Sequence, residues 1–125
     1  MGFGFIKING KTFPSPDIGA NFEVATLVNG GKNANGAFVG QKIGRDQYKI
    51  DNLTWTSLDA KTWSDILKEC KKFIIEVRFP DMVNNTWTTL TMYPGNRTAI
   101  PGEFDSSGFP TRYKNCKVNI IDCGL

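Results

Sequence analysis

The sequence predicts an α+β fold dominated by antiparallel sheet: a β-sandwich or split barrel with one flanking α-helix at about residues 58–71. Three observations carry this prediction. Short runs alternate apolar and polar residues, a single stretch switches to the helical period, and clusters of glycine, proline and asparagine separate the runs. Several strands, one helix and then three strands is the order of an α+β domain. With 125 residues the chain has the size of one domain, residues 1–125, and hides about two thirds of its unfolded surface on folding.

Phe5 to Asn9, "FIKIN", alternates like a half-buried strand, and Gly10 offers the positive φ of a tight turn. "FPSPDIGA" reads as an extended loop, because Pro14 and Pro16 each remove a backbone donor. In "NFEVATLVN", Phe22 and Val24 keep the strand period, whereas Leu27 and Val28 stand side by side. That break marks a bulge or a strand losing its pairing. "AFVGQKIGRDQYKIDNLTW" is too long and polar for one regular strand. It is either two consecutive strands or one bent strand, with Gly40 and Gly44 as bulge positions and Tyr48, Ile50, Leu53 and Trp55 near alternation.

"TSLDAKTWSDILKECKK" is the helix. Ser57 is placed to cap its N-terminus, Asp59 lies near the positive end, and Trp63, Ile66, Leu67 and Cys70 recur at three and four. Lys68, Lys71 and Lys72 fall at its C-terminus, where cations complement the free carbonyls. "KFIIEVRFPD" puts Phe73, Ile75, Val77 and Phe79 on one strand face; "MVNN" is a turn, and "TWTTLTMY" returns as the second strand of a hairpin. Pro94 to Thr111, rich in glycine, proline and serine, reads as an exposed excursion that carries Phe104 and Phe109. The last strand, "RYKNCKVNIIDCGL", sets Cys116, Val118 and Ile120 on one side and breaks phase at Ile121.

The chemistry open to the chain is narrow. It contains no histidine, which removes catalytic triads, Cys-His pairs, HExxH zinc sites and imidazole acid-base shuttles. The acids are scattered singly through turns and helix starts, so a two-carboxylate enzyme is disfavoured. Cys70, Cys116 and Cys123 form no CxxC pair and read as buried free thiols. No catalytic, cofactor or metal residue is therefore assigned. A net charge of +3 without a basic face does not amount to a nucleic-acid footprint, so no sequence-specific nucleic acid is expected. No apolar run approaches the roughly 20 residues of a membrane span, and "MGFGFIKING" lacks both a leader core and a myristoylation signal.

"NGGKNANGAFVG", Asn29 to Gly40, allows three readings: a phosphate cradle, a linker or a hairpin tip. It fits neither GxxxxGK[ST] nor GxGxxG and leads into a strand rather than a helix, which disfavours a nucleotide site. Close strand-like flanks disfavour a linker. What remains is a long β-hairpin with glycine and asparagine at its tip, set against an ordinary mobile loop. An arm carrying Phe38 and Val39 gains apolar burial if it packs on a neighbouring subunit.

Several pieces taken together resemble the small tail structural proteins of long-tailed phages and prophages of Gram-positive bacteria. They are the strand ending "ING", the "GGKNANG" hairpin, the strand bearing Arg45, "LTWTSLDAKTWSDIL", "FIIEVRFPD" and "MYPGNRTA". The resemblance spans the chain from about Ile8 to the last strand. It implies a tail-tube-like fold and a non-enzymatic protein of the virion tail, assembled in the bacterial host cytoplasm. Such a protein would form a homo-oligomeric ring in the tube or baseplate region, with a hexamer as one form, and would meet other tail proteins. The pattern would place an acidic residue at Asn96 and an arginine at Lys32.

On this reading the subunit-interface residues are Asn33, Asn35, Phe38, Val39 and Arg45 with the arm, Arg97 in the "GNR" turn, and Phe104 and Phe109 in the long excursion. The alternative is a carbohydrate or cell-surface binding module, in which Trp87, Tyr93 and loop aromatics stack on sugar rings.

Overall fold

A computed structural model describes residues 3–17 and 19–125. The first two residues of the leader reading, and Ile18 of the "FPSPDIGA" loop, lie outside the described residues. Among the described residues the order is β1 (Phe3–Ile8), β2 (Lys11–Pro14), β3 (Asn21–Ala25), β4 (Val28–Lys32), β5 (Phe38–Lys42), β6 (Gln47–Asp59), α1 (Ala60–Lys71), β7 (Ile75–Asp81), β8 (Thr86–Phe104) and β9 (Pro110–Asp122). The fold is α+β and mainly antiparallel.

Seven strands form one sheet in the order β2-β1-β7-β8-β9-β6-β3, with every neighbour antiparallel, and β4 and β5 form a separate two-stranded ribbon. The large sheet is rolled. In a flat sheet β6 would lie five strands, or about 24 Å, from β2, yet the Trp55 indole N–H donates to the Pro14 carbonyl at 2.8 Å. Phe22 on edge strand β3 likewise stacks on Phe5 of β1, with ring centroids 5.6 Å apart. The two edges approach without pairing, which is a split barrel.

Its interior holds Ile6, Ile8, Ile50, Leu53, Trp55, Val77, Val118 and Ile120, all fully buried. Ile50 and Leu53 both point inward, although they are three residues apart. Asn52, at a φ of 55°, takes up the extra residue where the β6–β9 register shifts. The helix lies against β6, β8 and β9 and lays Trp63 edge-on to Trp55 at 6.4 Å.

Four local expectations need correction. β6 runs to Asp59, so the helix begins at Ala60, and Asp59 rather than Ser57 is its cap, accepting from the Thr62 backbone N–H. Ser57 is a strand residue that accepts from Arg112. Phe73 is not on the inward face of β7. It stands before the strand at a φ of 68°, exposed, with its ring against Tyr93. "KTFP" pairs with β1 as an edge strand, where the missing donor of Pro14 leaves no inner ladder position empty.

The largest correction concerns Pro94 to Thr111. Most of it is strand: β8 continues to Phe104 and β9 starts at Pro110, with register shifts absorbing its glycines and prolines. "GNR" is accordingly a bulge inside β8 rather than a turn between elements.

Candidate assembly surface

β4 and β5 continue the β3–β6 hairpin outward as an arm, paired in register from Val28↔Lys42 to Lys32↔Phe38 and exposed at every residue. The adjacent Leu27 and Val28 mark the joint where the inner pairing gives way to the outer one. At the tip the Asn33 side chain builds the turn, its Oδ1 accepting from the backbone N–H of Asn35 at 3.0 Å and of Ala37 at 3.1 Å. Gly36 there has a φ of 81°, a conformation that glycine adopts without strain.

Gly30 and Gly40 are paired halfway along the arm, and a Cβ on either would overlap backbone atoms of the other strand. The end of the Phe38 ring lies over Gly40. Glycine here answers to close backbone approach.

The arm exposes more apolar surface than the sequence reading named. Phe38 is 55% and Val39 56% exposed, and Leu27, Val28 and Ile43 are about as exposed. The broken period at Leu27 and Val28 was the signal for two of these three. Burying five half-exposed side chains is worth on the order of 5 kcal/mol. Association costs about 4–15 kcal/mol in lost freedom, so such an arm supports contacts that become strong when several act together.

Arg45 holds the base of the arm. Its guanidinium makes two parallel hydrogen bonds to the buried Asp122 carboxylate, at 2.6 and 2.7 Å, and its Nε donates to the Leu125 carbonyl at 2.9 Å. Burial of Asp122 opposes its ionisation, but Arg45 and the backbone N–H groups of Gly124 and Tyr48 outweigh it and hold the carboxyl below its ordinary range. Asp46 adds bonds from Thr26 and Lys42. The Arg45 guanidinium is therefore engaged within the chain.

A second hairpin, the end of β8–β9, is closed by Asp105, which accepts from the Ser107 backbone and hydroxyl and from the Phe109 N–H. Phe104 and Phe109 flank this tip at 58% and 65% exposure. β6 begins beside Ala25 at the arm and ends with Asp59 beside Arg112, near the second tip. The two tips thus project at opposite ends of a strand about 40 Å long. Asn33, Asn35, Phe38 and Val39 come together on the arm, with Arg45 at its base; Phe104 and Phe109 sit at the far end. Arg97 joins neither group, donating to the Gly95 carbonyl in its own bulge.

The aromatics of the carbohydrate reading are partly covered. The Arg78 guanidinium lies 4.3 Å over the Trp87 ring, and the Tyr93 ring packs on Phe73 at 5.6 Å.

Among the described residues three carboxylates are buried: Glu69, Asp81 and Asp122. Glu69 accepts from Lys11, Asn9 and Lys72, which bring its carboxyl down to about 2. Asp81, despite burial, is held low by Asn84, Val83 and Tyr48. Each side chain ties elements together in its ionised form. All three thiols are free, but only two are buried as expected: burial pushes the Cys116 thiol up to about 11 and raises that of Cys70, whereas Cys123, next to the chain end at Gly124 and Leu125, is only partly covered. Among the described residues no three His, Cys, Asp or Glu side chains cluster as a metal site, and no helix is long and apolar enough to cross a membrane.

No family model matches this chain, no curated protein matches its sequence, and no solved structure matches it.

Proposed function

We propose that the chain is a non-enzymatic structural protein of a phage tail whose copies assemble, as a ring in the tube or baseplate region, through the β4–β5 arm. The observation that carries this reading is the arm itself: an ordered hairpin with no core of its own that presents Leu27, Val28, Phe38, Val39 and Ile43 to solvent. Apolar surface held out on a fixed scaffold is what a contact with a neighbour needs. The resemblance of "GGKNANG", "FIIEVRFPD" and "MYPGNRTA" to phage tail proteins supports the setting. So does the placement of the two tips at opposite ends. An arm that meets a different surface on the next copy makes a heterologous contact, which closes into rings or extends into tubes.

The test is solution mass by light scattering over a concentration series, for the intact chain and for one with Gly30–Gly36 replaced by a two-residue turn. Concentration-dependent assembly that disappears on shortening is the expected result. A monomer at all concentrations for both proteins would count against self-assembly through the arm.

A further inference from the structure

A groove of about 370 Å³ runs along the flank of α1 that faces Phe109 and Tyr113, at the end of β6 away from the arm. Its helix wall extends from Ala60 to Lys71, with Leu67 between them and Lys68 and Lys71 at one end; Phe109 and Tyr113 form the facing wall. The span from Ala60 to Lys71 is about 16 Å of helix, the length of about five residues of extended chain.

Beyond the helix C-terminal carbonyls, the lysine end has no carboxylate partner. Neither Lys68 nor Lys71 takes part in an ion pair among the described residues. Two carboxylates on the same helix are engaged elsewhere, Asp65 with Lys61 and Glu69 with Lys11 and Lys72, and Asp105, close to Phe109 in sequence, accepts in its own turn. An apolar floor with two free cations at one end calls for a ligand with apolar side chains followed by carboxylates.

We propose that this groove docks an extended, acidic segment of a second protein, with apolar side chains against Leu67, Phe109 and Tyr113 and carboxylates on Lys68 and Lys71. A second copy's arm is a poor occupant, because its β4–β5 ribbon has no Asp or Glu to meet the lysines and carries the cation Lys32. A nucleic acid needs cations along its whole track, and here they stand at one end. The proposal rests on the groove alone and holds whether or not the arm binds another copy.

Fluorescence anisotropy with the dye-labelled peptide acetyl-FLSLED-amide and its basic counterpart acetyl-FLSLKK-amide tests it. The intact chain should bind the acidic peptide saturably, and Lys68→Glu/Lys71→Glu should weaken that binding by about tenfold or more and prefer the basic peptide instead. Phe109→Ser should weaken acidic-peptide binding with both lysines present, while the arm-shortened chain should bind like the intact one. Circular dichroism checks that each variant folds. Equal binding of both peptides, or no saturable binding of the acidic one, would overturn the proposal. Loss of self-association in Lys68→Glu/Lys71→Glu without peptide binding would overturn it too, by giving the groove to a second copy.

Discussion

Gly30 and Gly40 face each other across the arm with their backbones so close that neither position has room for a Cβ. Gly30→Ala or Gly40→Ala should therefore splay the ribbon while leaving the split barrel untouched. Urea unfolding should shift by no more than about 0.5 kcal/mol, as for changes away from the core. Amide exchange in β4 and β5 should rise, and concentration-dependent assembly should fall. An arm that stays protected in both variants would contradict the close approach.

Arg45 and Asp122, 77 positions apart, tie the arm base to the last strand. Arg45→Ala leaves the Asp122 carboxylate buried without its cation. Breaking a fully buried pair costs about 3–5 kcal/mol. The Arg45 side chain is 36% exposed, so water screens part of the loss, and roughly 2 kcal/mol in urea unfolding is expected. Arg45→Lys should recover only part of it, because an ammonium cannot make the two parallel bonds.

Acid should loosen the contact between the helix end and the β1–β2 turn. Lys11, with Asn9 and Lys72, holds the Glu69 carboxyl at about 2 instead of the ordinary 4.5. A lowered pKa contributes stability that is fully present above the unfolded value and is lost as pH falls through the folded one. The loss should thus fall between pH 4.5 and about 2. Glu69→Gln should reduce the slope of unfolding free energy against pH in this window, as read from urea midpoints. An unchanged slope would mean that other carboxylates govern acid unfolding.

Phe73 occupies the left-handed position just past the helix cap, where glycine is the usual residue, while its ring packs on Tyr93. Backbone strain of about 1 kcal/mol opposes an aromatic contact of similar size. Phe73→Gly should therefore change stability by less than about 0.5 kcal/mol, since it removes both. Phe73→Ala keeps the strain and loses the contact, so it should destabilise by about 1 kcal/mol. Thermal unfolding of the two variants side by side decides the matter.

The fold class could be read because burial imposes simple periods. Ile75, Val77 and Phe79, like Cys116, Val118 and Ile120, alternate because one face of each strand meets the core, and Trp63, Ile66 and Cys70 follow the helix stripe. Pro94 to Thr111 misled because its glycines and prolines resemble loop punctuation. Their function in β8 is to bend a strand through successive register shifts, and composition does not separate a bent strand from a loop. The helix start was misplaced because Ser57 and Asp59 are both good caps, and only the length of β6 chooses between them. At the candidate surface the hairpin and its tip were legible from glycine and asparagine. The pairing of Arg45 with Asp122 and the groove under Phe109 were not, since each joins residues far apart in sequence.

β6 carries the arm at one end and leads directly into α1 at the other, and between them it is laced to β9 along its length. A pull on the arm along that strand therefore loads the ladder from Lys49↔Ile121 to Asp59↔Arg112 in shear. Ladder bonds lie perpendicular to the strands, so they bear such tension together instead of parting one at a time. Mechanically the chain is a tie-rod, strongest along the line joining its two projecting tips.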